Sequence, residues 1–262
     1  MVMNSVREKF IKKVANQLTE EMSSPDHIII QTINSIEDLN KITNLCSERL
    51  QEWYSIHFPE FKSKDPKTYA LLASFFNRKN PNKEKLFELF GQQADRLLHL
   101  SYNSIGVIFE EEDIEALQSF ALFTLSVYNK KEDLENYLRK ITRKHAPNLS
   151  SFCGELLTAK LIQKAGGLKK LAQMPSSTIQ VLGAEKALFK HLKSGTPSPK
   201  HGIIFQHPSI SGNKKEFRGK IARKFASKIA ILTKADAFSK NLIVDQIKKK
   251  FEVQIKKCLE KN

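Results

Sequence analysis

Three short stretches between residues 183 and 228 concentrate side chains able to hold phosphate. The first is Gly183-Ala184-Glu185-Lys186, continued by Lys190 and Lys193. At about 100° per residue, Lys186, Lys190 and Lys193 fall within about 60° of one another, while Ala184, Leu188 and Leu192 face the opposite way. The spacing therefore predicts a helix with one packed side and one side presenting three ammonium groups. The second stretch runs from about Lys214 to Lys234. Ile221, Phe225, Ile229 and Leu232 read as its buried stripe, with Lys220, Arg223, Lys224 and, at its edge, Lys228 on the other side. Arg218 precedes them one turn earlier. Between the two helices, the prolines and glycines of the segment from Thr196 to Pro208 set a rigid loop. In it Lys200, His201 and Gln206 offer donors to phosphate, sugar or a splayed base. One lysine face alone is an ordinary solvated surface; two in one basic region point to a polyanion.

The charge balance sharpens this. The chain has 262 residues, 43 Lys plus Arg against 28 Asp plus Glu, and a formal net charge of +15. Residues 1–159 hold 20 basic and 22 acidic residues, whereas residues 160–262 hold 23 and 6. Such an excess attracts nucleic acid or an acidic membrane by counterion release and long-range steering, and a small neutral substrate has no need of it. No run approaches the roughly 20 apolar residues of a membrane span. The first residues set Arg7, Lys9, Lys12 and Lys13 among Val6, Phe10, Val14 and Leu18, unlike a secretory signal. A soluble intracellular protein without membrane contact is expected. Cys46, Cys153 and Cys258 are distant and odd in number, as unpaired thiols of a reducing compartment are.

Catalytic signatures are missing from the sequence. It has no Gly-rich loop of the Walker or dinucleotide type, and no Ser or Cys sits in an elbow motif. His201 and His207 invite a zinc reading, but no Cys or carboxylate cluster stands at ligand spacing from them. Gly183 and the Gly166-Gly167 pair read as caps and turns. A non-enzyme, with no catalytic residue, metal or cofactor, is the expectation.

The elements that must position these residues are helical. Glycine is nearly absent before residue 154, where only Gly91 and Gly106 occur. Val6, Phe10, Val14 and Leu18 mark a short N-terminal helix within residues 1–24. Ser24-Pro25 then opens a long helix, a cap followed by proline at the first helical position. Its stripe reads Ile29, Ile33, Ile36, Leu39, Ile42, Leu45, Cys46, Leu50, Trp53 and Ile56, and it stops before Pro59. A second long helix opens at the acidic run from Glu110 to Asp113, which suits a helix N-terminus better than a metal or histone-like patch. Its stripe is Ile114, Leu117, Ala121, Thr124, Tyr128, Leu134, Leu138 and Ile141, close to a coiled-coil seam, and it ends before Pro147. The expected architecture is all-α. A long antiparallel coiled-coil domain covers residues 25–146, with arms at about 26–57 and 111–146 and a helical tip over 58–110. A compact helical domain over 147–239 and a basic tail over 240–262 follow. In the tail Ile243, Ile247, Phe251 and Ile255 keep a four-residue spacing beneath Lys248-Lys249-Lys250, as a basic amphipathic helix does.

Several strings in this frame resemble a known family. They are Ala146-Pro147-Asn148-Leu149, Ala165-Gly166-Gly167-Leu168, the run from Met174 to Phe189, Pro199-Lys200-His201-Gly202 and Arg218-Gly219-Lys220-Ile221-Ala222-Arg223. All closely resemble the Nop domain of the box C/D ribonucleoprotein scaffolds and a spliceosomal relative. The segment from Arg49 to Glu60 resembles the archaeal box C/D version of the coiled-coil arm, so the likeness spans about residues 24 to 239.

The resemblance implies a scaffold that recognises a box C/D guide RNA at its kink-turn, once a ribosomal-protein-type partner has bound it. It implies self-association through the coiled coil. It also implies that the chain organises guide-directed 2′-O-methylation of rRNA or tRNA, carried out by fibrillarin with S-adenosylmethionine. Carried over by position, Gly183, Ala184, Glu185 and Lys186, with Lys190, lie at the RNA and the partner protein. His201 and Lys200 approach exposed nucleotides, and Arg218, Lys220, Arg223 and Lys224 reach phosphates. Glu185 is expected to pair with a neighbouring lysine or with a basic patch on the partner. In the family an α/β domain that holds fibrillarin precedes the arm, whereas here residues 1–24 do, so fibrillarin is an expected partner whose direct binding by these residues is left open. A naturally short form, a shortened chain and a domain supplied by another chain all remain open. The implied compartment is the cytoplasm of an archaeal-type cell, or the nucleolus of a eukaryote. A splicing-type kink-turn binder and a general nucleic-acid compaction protein are the alternatives, and the Glu52-Trp53-Tyr54 and Gly183-Ala184-Glu185-Lys186 strings favour the methylation scaffold.

Overall fold

The computed structural model describes residues 7–8, 10–15 and 23–259, and every regular element among them is helical. Residues 10–15 are helical and Phe10 is exposed, while Val6 and Leu18 of the expected N-terminal helix lie outside the described residues. The helices are α1 (Pro25–His57), α2 (Pro66–Ala73), α3 (Lys83–Phe90), α4 (Gln93–Tyr102) and α5 (Glu111–His145). They continue with α6 (Pro147–Cys153), α7 (Glu155–Ala165), α8 (Leu168–Gln173), α9 (Ser176–Val181), α10 (Glu185–Ser194), α11 (Pro208–Ser211), α12 (Lys215–Lys234) and α13 (Val244–Leu259). Helix α1 begins as its cap predicts, with the Asp26 N–H donating to Ser24 Oγ at 3.3 Å. Helix α5 opens on Glu111, Glu112 and Asp113 and closes on Arg143, Lys144 and His145, charges that oppose its dipole at both ends. No helix among the described residues is long and apolar enough to cross a membrane.

The chain packs as two units, one formed by Ser35–Leu134 and the other by the described residues on either side. In the first unit α1 and α5 run antiparallel: Ser47 meets Tyr128 by a 2.8 Å hydrogen bond between hydroxyls, and Trp53 meets Phe120 ring to ring at 6.2 Å. The seam corrects the sequence reading of α1. Ile36, Thr43, Leu50 and His57 are buried at seven-residue intervals, with Ser47 and Tyr54 between them, whereas Ile42, Leu45 and Ile56 are exposed. A heptad must keep facing its partner even where its residues are polar, so a stripe drawn through apolar residues alone slides off it. On α5 the expected Ile114, Leu117, Ala121 and Thr124 are buried in the same three-four alternation. Helices α2 to α4 close the unit around Tyr54, Phe58, Phe61, Tyr69 and Phe76. His57 is fully buried there: its Nδ1–H donates to the Val107 carbonyl at 3.0 Å, and its Nε2 accepts the Arg78 N–H at 3.3 Å.

The second unit is built around α12. Phe225 of α12, Phe152 of α6 and Phe251 of α13 form a triangle of rings 4.9–5.4 Å apart. A buried polar joint fastens the same three helices. The Asp236 carboxylate, 1% exposed, accepts the N–H groups of Asn148 and Leu149 and the Asn148 amide at 2.8–3.0 Å, capping α6. The Asn148 Oδ1 in turn accepts the Ile243 and Val244 N–H groups at the start of α13. The basic amphipathic helix expected after Asn241 is therefore α13, docked through Ile247 and Phe251. At the end of α5, Asp26 bonds His145 at 2.7 Å and the Leu168 N–H at 3.0 Å, which fixes the start of α8.

Candidate nucleic-acid interface

Two backbone segments hold the loops of the interface. The Gly202 N–H donates to the Gln180 carbonyl and the Ile203 N–H to the Leu182 carbonyl, both at 2.8 Å, so residues 200–203 lie clamped along residues 180–183. The clamp needs glycine on both sides. A Cβ on Gly202 would enter the Leu182 carbonyl, and one on Gly183, whose φ is +83°, would enter the Ile203 side chain. The Gln180 amide closes the loop by donating to the Lys200 carbonyl at 2.7 Å.

Helix α10 follows from this turn. Glu185 turns back on its own loop, its Oε1 accepting the Gly183 N–H at 2.6 Å, so the carboxylate ties down the turn before the helix instead of reaching Lys186. Lys186, Lys190 and Lys193 are exposed as their spacing predicts. The opposite side departs from expectation. Leu188 is only half-buried, Leu192 is 70% exposed, neighbouring Phe189 is 62% exposed, and no residue of α10 is buried. Among the described residues no side chain of α10 is buried, so the packed side expected for this helix does not form there.

On α12 the apolar stripe of Ile221, Phe225, Ile229 and Leu232 is fully buried, as predicted. Lys220 and Arg223 are exposed and Lys224 is half-exposed. Two cations part from this face. Lys228 is only 8% exposed, and Arg218 is half-buried with Nε and an Nη donating to the carbonyls of Asn213 and Ser211 at 2.8 and 3.2 Å. Helix rotation explains both: from Glu216, Lys220 and Arg223 lie within about 40°, while Lys228 at about 120° and Arg218 at about 200° point toward the Ile221–Phe225 side. Arg218 ties down the loop before α12 and lies over the Phe205 ring at 5.3 Å. His201 stacks on the same ring, centroids 4.4 Å apart and planes 12° apart. Burial, the Arg218 and Lys200 charges pull the His201 pKa below the usual imidazole value, so it is neutral at pH 7. Gln206 is exposed, and its Oε1 accepts from Lys160 at 2.9 Å. Burial likewise lowers His207, whose ring lies 4.5 Å from Phe225 and whose Nδ1 accepts the Ser209 N–H.

What α10, the 199–203 loop and α12 carry is a set of cations that form no ion pair among the described residues. Among the described residues, the ammonium or guanidinium groups of Lys186, Lys190, Lys193, Lys200, Lys220, Arg223 and Lys224 make no hydrogen bond or ion pair. Glu216 and Gln180, which the sequence reading passed over, line a groove of about 470 Å³ together with Lys200, Lys220 and Arg223. Glu216 was detectable: it stands one helical turn before Lys220 on the same face.

Comparison with known proteins identifies relatives of the chain. A family model described as Nop, snoRNA binding domain, fibrillarin, matches residues 35–261. A NOP5 family protein of Methanocaldococcus jannaschii is 43% identical over 258 residues, 97% of this chain and 60% of its own length. Nucleolar protein 56 of Homo sapiens is 39% identical over 222 residues, 82% of this chain and 37% of its own. Nucleolar protein 58 of Yarrowia lipolytica is 37% identical over 223 residues, with shares of 82% and 43%. The chain thus spans three fifths or less of the length of these relatives. Among solved structures, a fibrillarin/Nop5p complex contains a similar chain with a TM-score of 0.57 and 20% identity, over 97% of this chain and 78% of that one, which speaks to the fold.

Proposed function

The chain belongs to the Nop family, and from that premise we propose that it is an RNA-binding scaffold of a box C/D ribonucleoprotein. In this reading it binds a kink-turn RNA already held by a ribosomal-protein-type partner and organises guide-directed 2′-O-methylation by fibrillarin without being an enzyme itself. The observation that carries the reading is the set of seven cations on α10, the 199–203 loop and α12 that form no ion pair among the described residues, three of them on one groove. Exposed cations left without ion-pair partners are completed by a polyanion, and a phosphate backbone does so with release of counterions. The exposed Phe189 and Leu192 beside Lys186 and Lys190 supply an apolar surface for a protein partner that RNA alone would leave wet. One helix thus offers charge to RNA and, along the border of its lysine face, apolar area to the RNA's protein. That division supports recognition of a composite surface. Self-association through the α1–α5 coiled coil and assembly with fibrillarin belong to the same proposal.

Titration against three species tests it: bare kink-turn RNA, the same RNA bound to its ribosomal-protein-type partner, and unrelated duplex. The proposal expects the preassembled complex to bind at least about tenfold more tightly than either RNA alone. Equal affinity for all three would favour general nucleic-acid compaction instead.

A further inference from the structure

The groove between the 199–203 loop and α12 holds an unusual mixture of charge. Lys200, Lys220, Arg223 and Glu216 all open on its 470 Å³, yet among the described residues no ion pair forms between the carboxylate and any of the three cations. Gly219, without a side chain, leaves the groove open beside the Lys200 stem. Val181 and Pro199 give it an apolar wall, and Gln180 is held in place by its bond to the Lys200 carbonyl.

A lone phosphate would satisfy the cations and be repelled by Glu216; a metal or ammonium ion would do the reverse. The fitting ligand carries an anion at one end and hydrogen-bond donors at the other, since an ionised carboxylate only accepts. Glu216 and Arg223 are seven residues apart on one face of α12, about 10 Å along the axis, with Lys220 between them. A nucleotide laid along the helix meets that order, its phosphate at Lys220, Arg223 and Lys200 and its base edge at Glu216. Among the four bases, guanine alone presents two adjacent donors, N1–H and the N2 amino group, which a carboxylate accepts side by side. Adenine and cytosine set an acceptor nitrogen beside their amino group, and uracil sets one donor between two carbonyls. We propose that this groove binds one unpaired guanosine nucleotide of the RNA, with Glu216 as the specificity-determining residue. The inference rests on the RNA-binding reading above and names the nucleotide that one part of its face selects.

The test uses the full chain and fluorescein-labelled nine-residue RNAs that are uridine throughout except for a central guanosine, inosine or adenosine. Anisotropy titrations at low salt follow the wild type, Glu216→Gln and Lys220→Ala. The expected result is a preference for guanosine over adenosine of about tenfold or more, with inosine, which lacks the N2 amino group, in between. In Glu216→Gln the preference shrinks toward unity while overall affinity holds or rises, because a negative charge has left a basic face. In Lys220→Ala all three RNAs weaken together and the preference stays. Equal binding of the three RNAs by the wild type would overturn the inference, and so would a Glu216→Gln change that strengthens all three alike and leaves their ratios intact. These outcomes are separable from the fate of the scaffold reading. Loss of base preference with retained binding to the partner-bound kink-turn removes only the guanosine site; failure to bind that complex, with the preference intact, removes only the scaffold.

Discussion

Removing charge from α12 should act in two different ways depending on where the side chain points. Lys220 and Arg223 are exposed and unpaired, whereas Lys228, on the same helix and of the same charge, is 8% exposed. Each phosphate contact contributes about 0.7 to 0.9 to the slope of log affinity against log salt. Replacing Lys220 and Arg223 together by Ala should therefore flatten the slope by about 1.4 to 1.8. At about 0.1 M salt the same counterion arithmetic gives a loss of affinity of some tens of fold. Lys228→Met, which keeps the buried aliphatic stem, should leave the slope within about 0.3 of the wild type. If about five of the seven free cations reach phosphates, the wild-type slope itself is about −3.5 to −4.5. The assay is fluorescence anisotropy of partner-bound kink-turn RNA at several KCl concentrations, with circular dichroism to verify that each variant keeps its helix content. An unchanged slope in Lys220→Ala/Arg223→Ala, or an equal flattening in Lys228→Met, would refute the assignment of faces on α12.

Three further outcomes follow from the packing. Asp236→Ala removes an acceptor from two backbone N–H groups and the Asn148 amide in a buried site, so thermal denaturation should register a loss of about 3 kcal/mol or more. Phe189→Ser with Leu192→Ser should leave the melting temperature almost unmoved, since both side chains are mostly exposed, while weakening binding to the partner-bound RNA by about tenfold or more in the same titration. Burial, joined by the Arg78 charge, lowers the His57 pKa although its bond to Val107 works the other way. The unfolded chain then binds the proton more readily, so the stability His57 confers is fully present above about pH 6.5 and drains away as pH falls from there toward the depressed folded value. Hydrogen exchange at the Arg78 and Val107 amides should accelerate from pH 7.5 to 5.5 beyond its intrinsic change. A His57→Gln variant should lose that extra dependence.

The sequence was most readable where periodicity and burial coincide. The limits of α1 and α5, the α12 stripe and the exposed lysines of α10 all follow from helical spacing with caps and prolines at the ends. Thr43, Ser47 and His57 escaped because a heptad seam tolerates polar residues when the facing helix supplies a partner, as Tyr128 does for Ser47, and a scan for apolar residues skips such positions. Arg218 and Lys228 were misplaced for the opposite reason: charge type outweighed angle, although counting degrees from Glu216 sets both apart from Lys220 and Arg223. The open side of α10 was unreadable, because an amphipathic pattern tells that a face wants cover and not whether the same chain provides it. The Asn148–Asp236 joint links residues 88 apart through one buried carboxylate, and no local pattern announces such a pair.

That joint also changes what the lysines near the end of the chain are. Lys248, Lys249, Lys250, Lys256 and Lys257 sit on α13, whose start is bonded to Asn148 and whose inner side is pressed against Phe152 and Phe225. A polybasic string on a loose tether adapts to any anionic contour and so discriminates little. Mounted on a bar whose first residues are pinned, the same lysines spring from backbone positions at fixed helical intervals, and only their stems remain free to adapt.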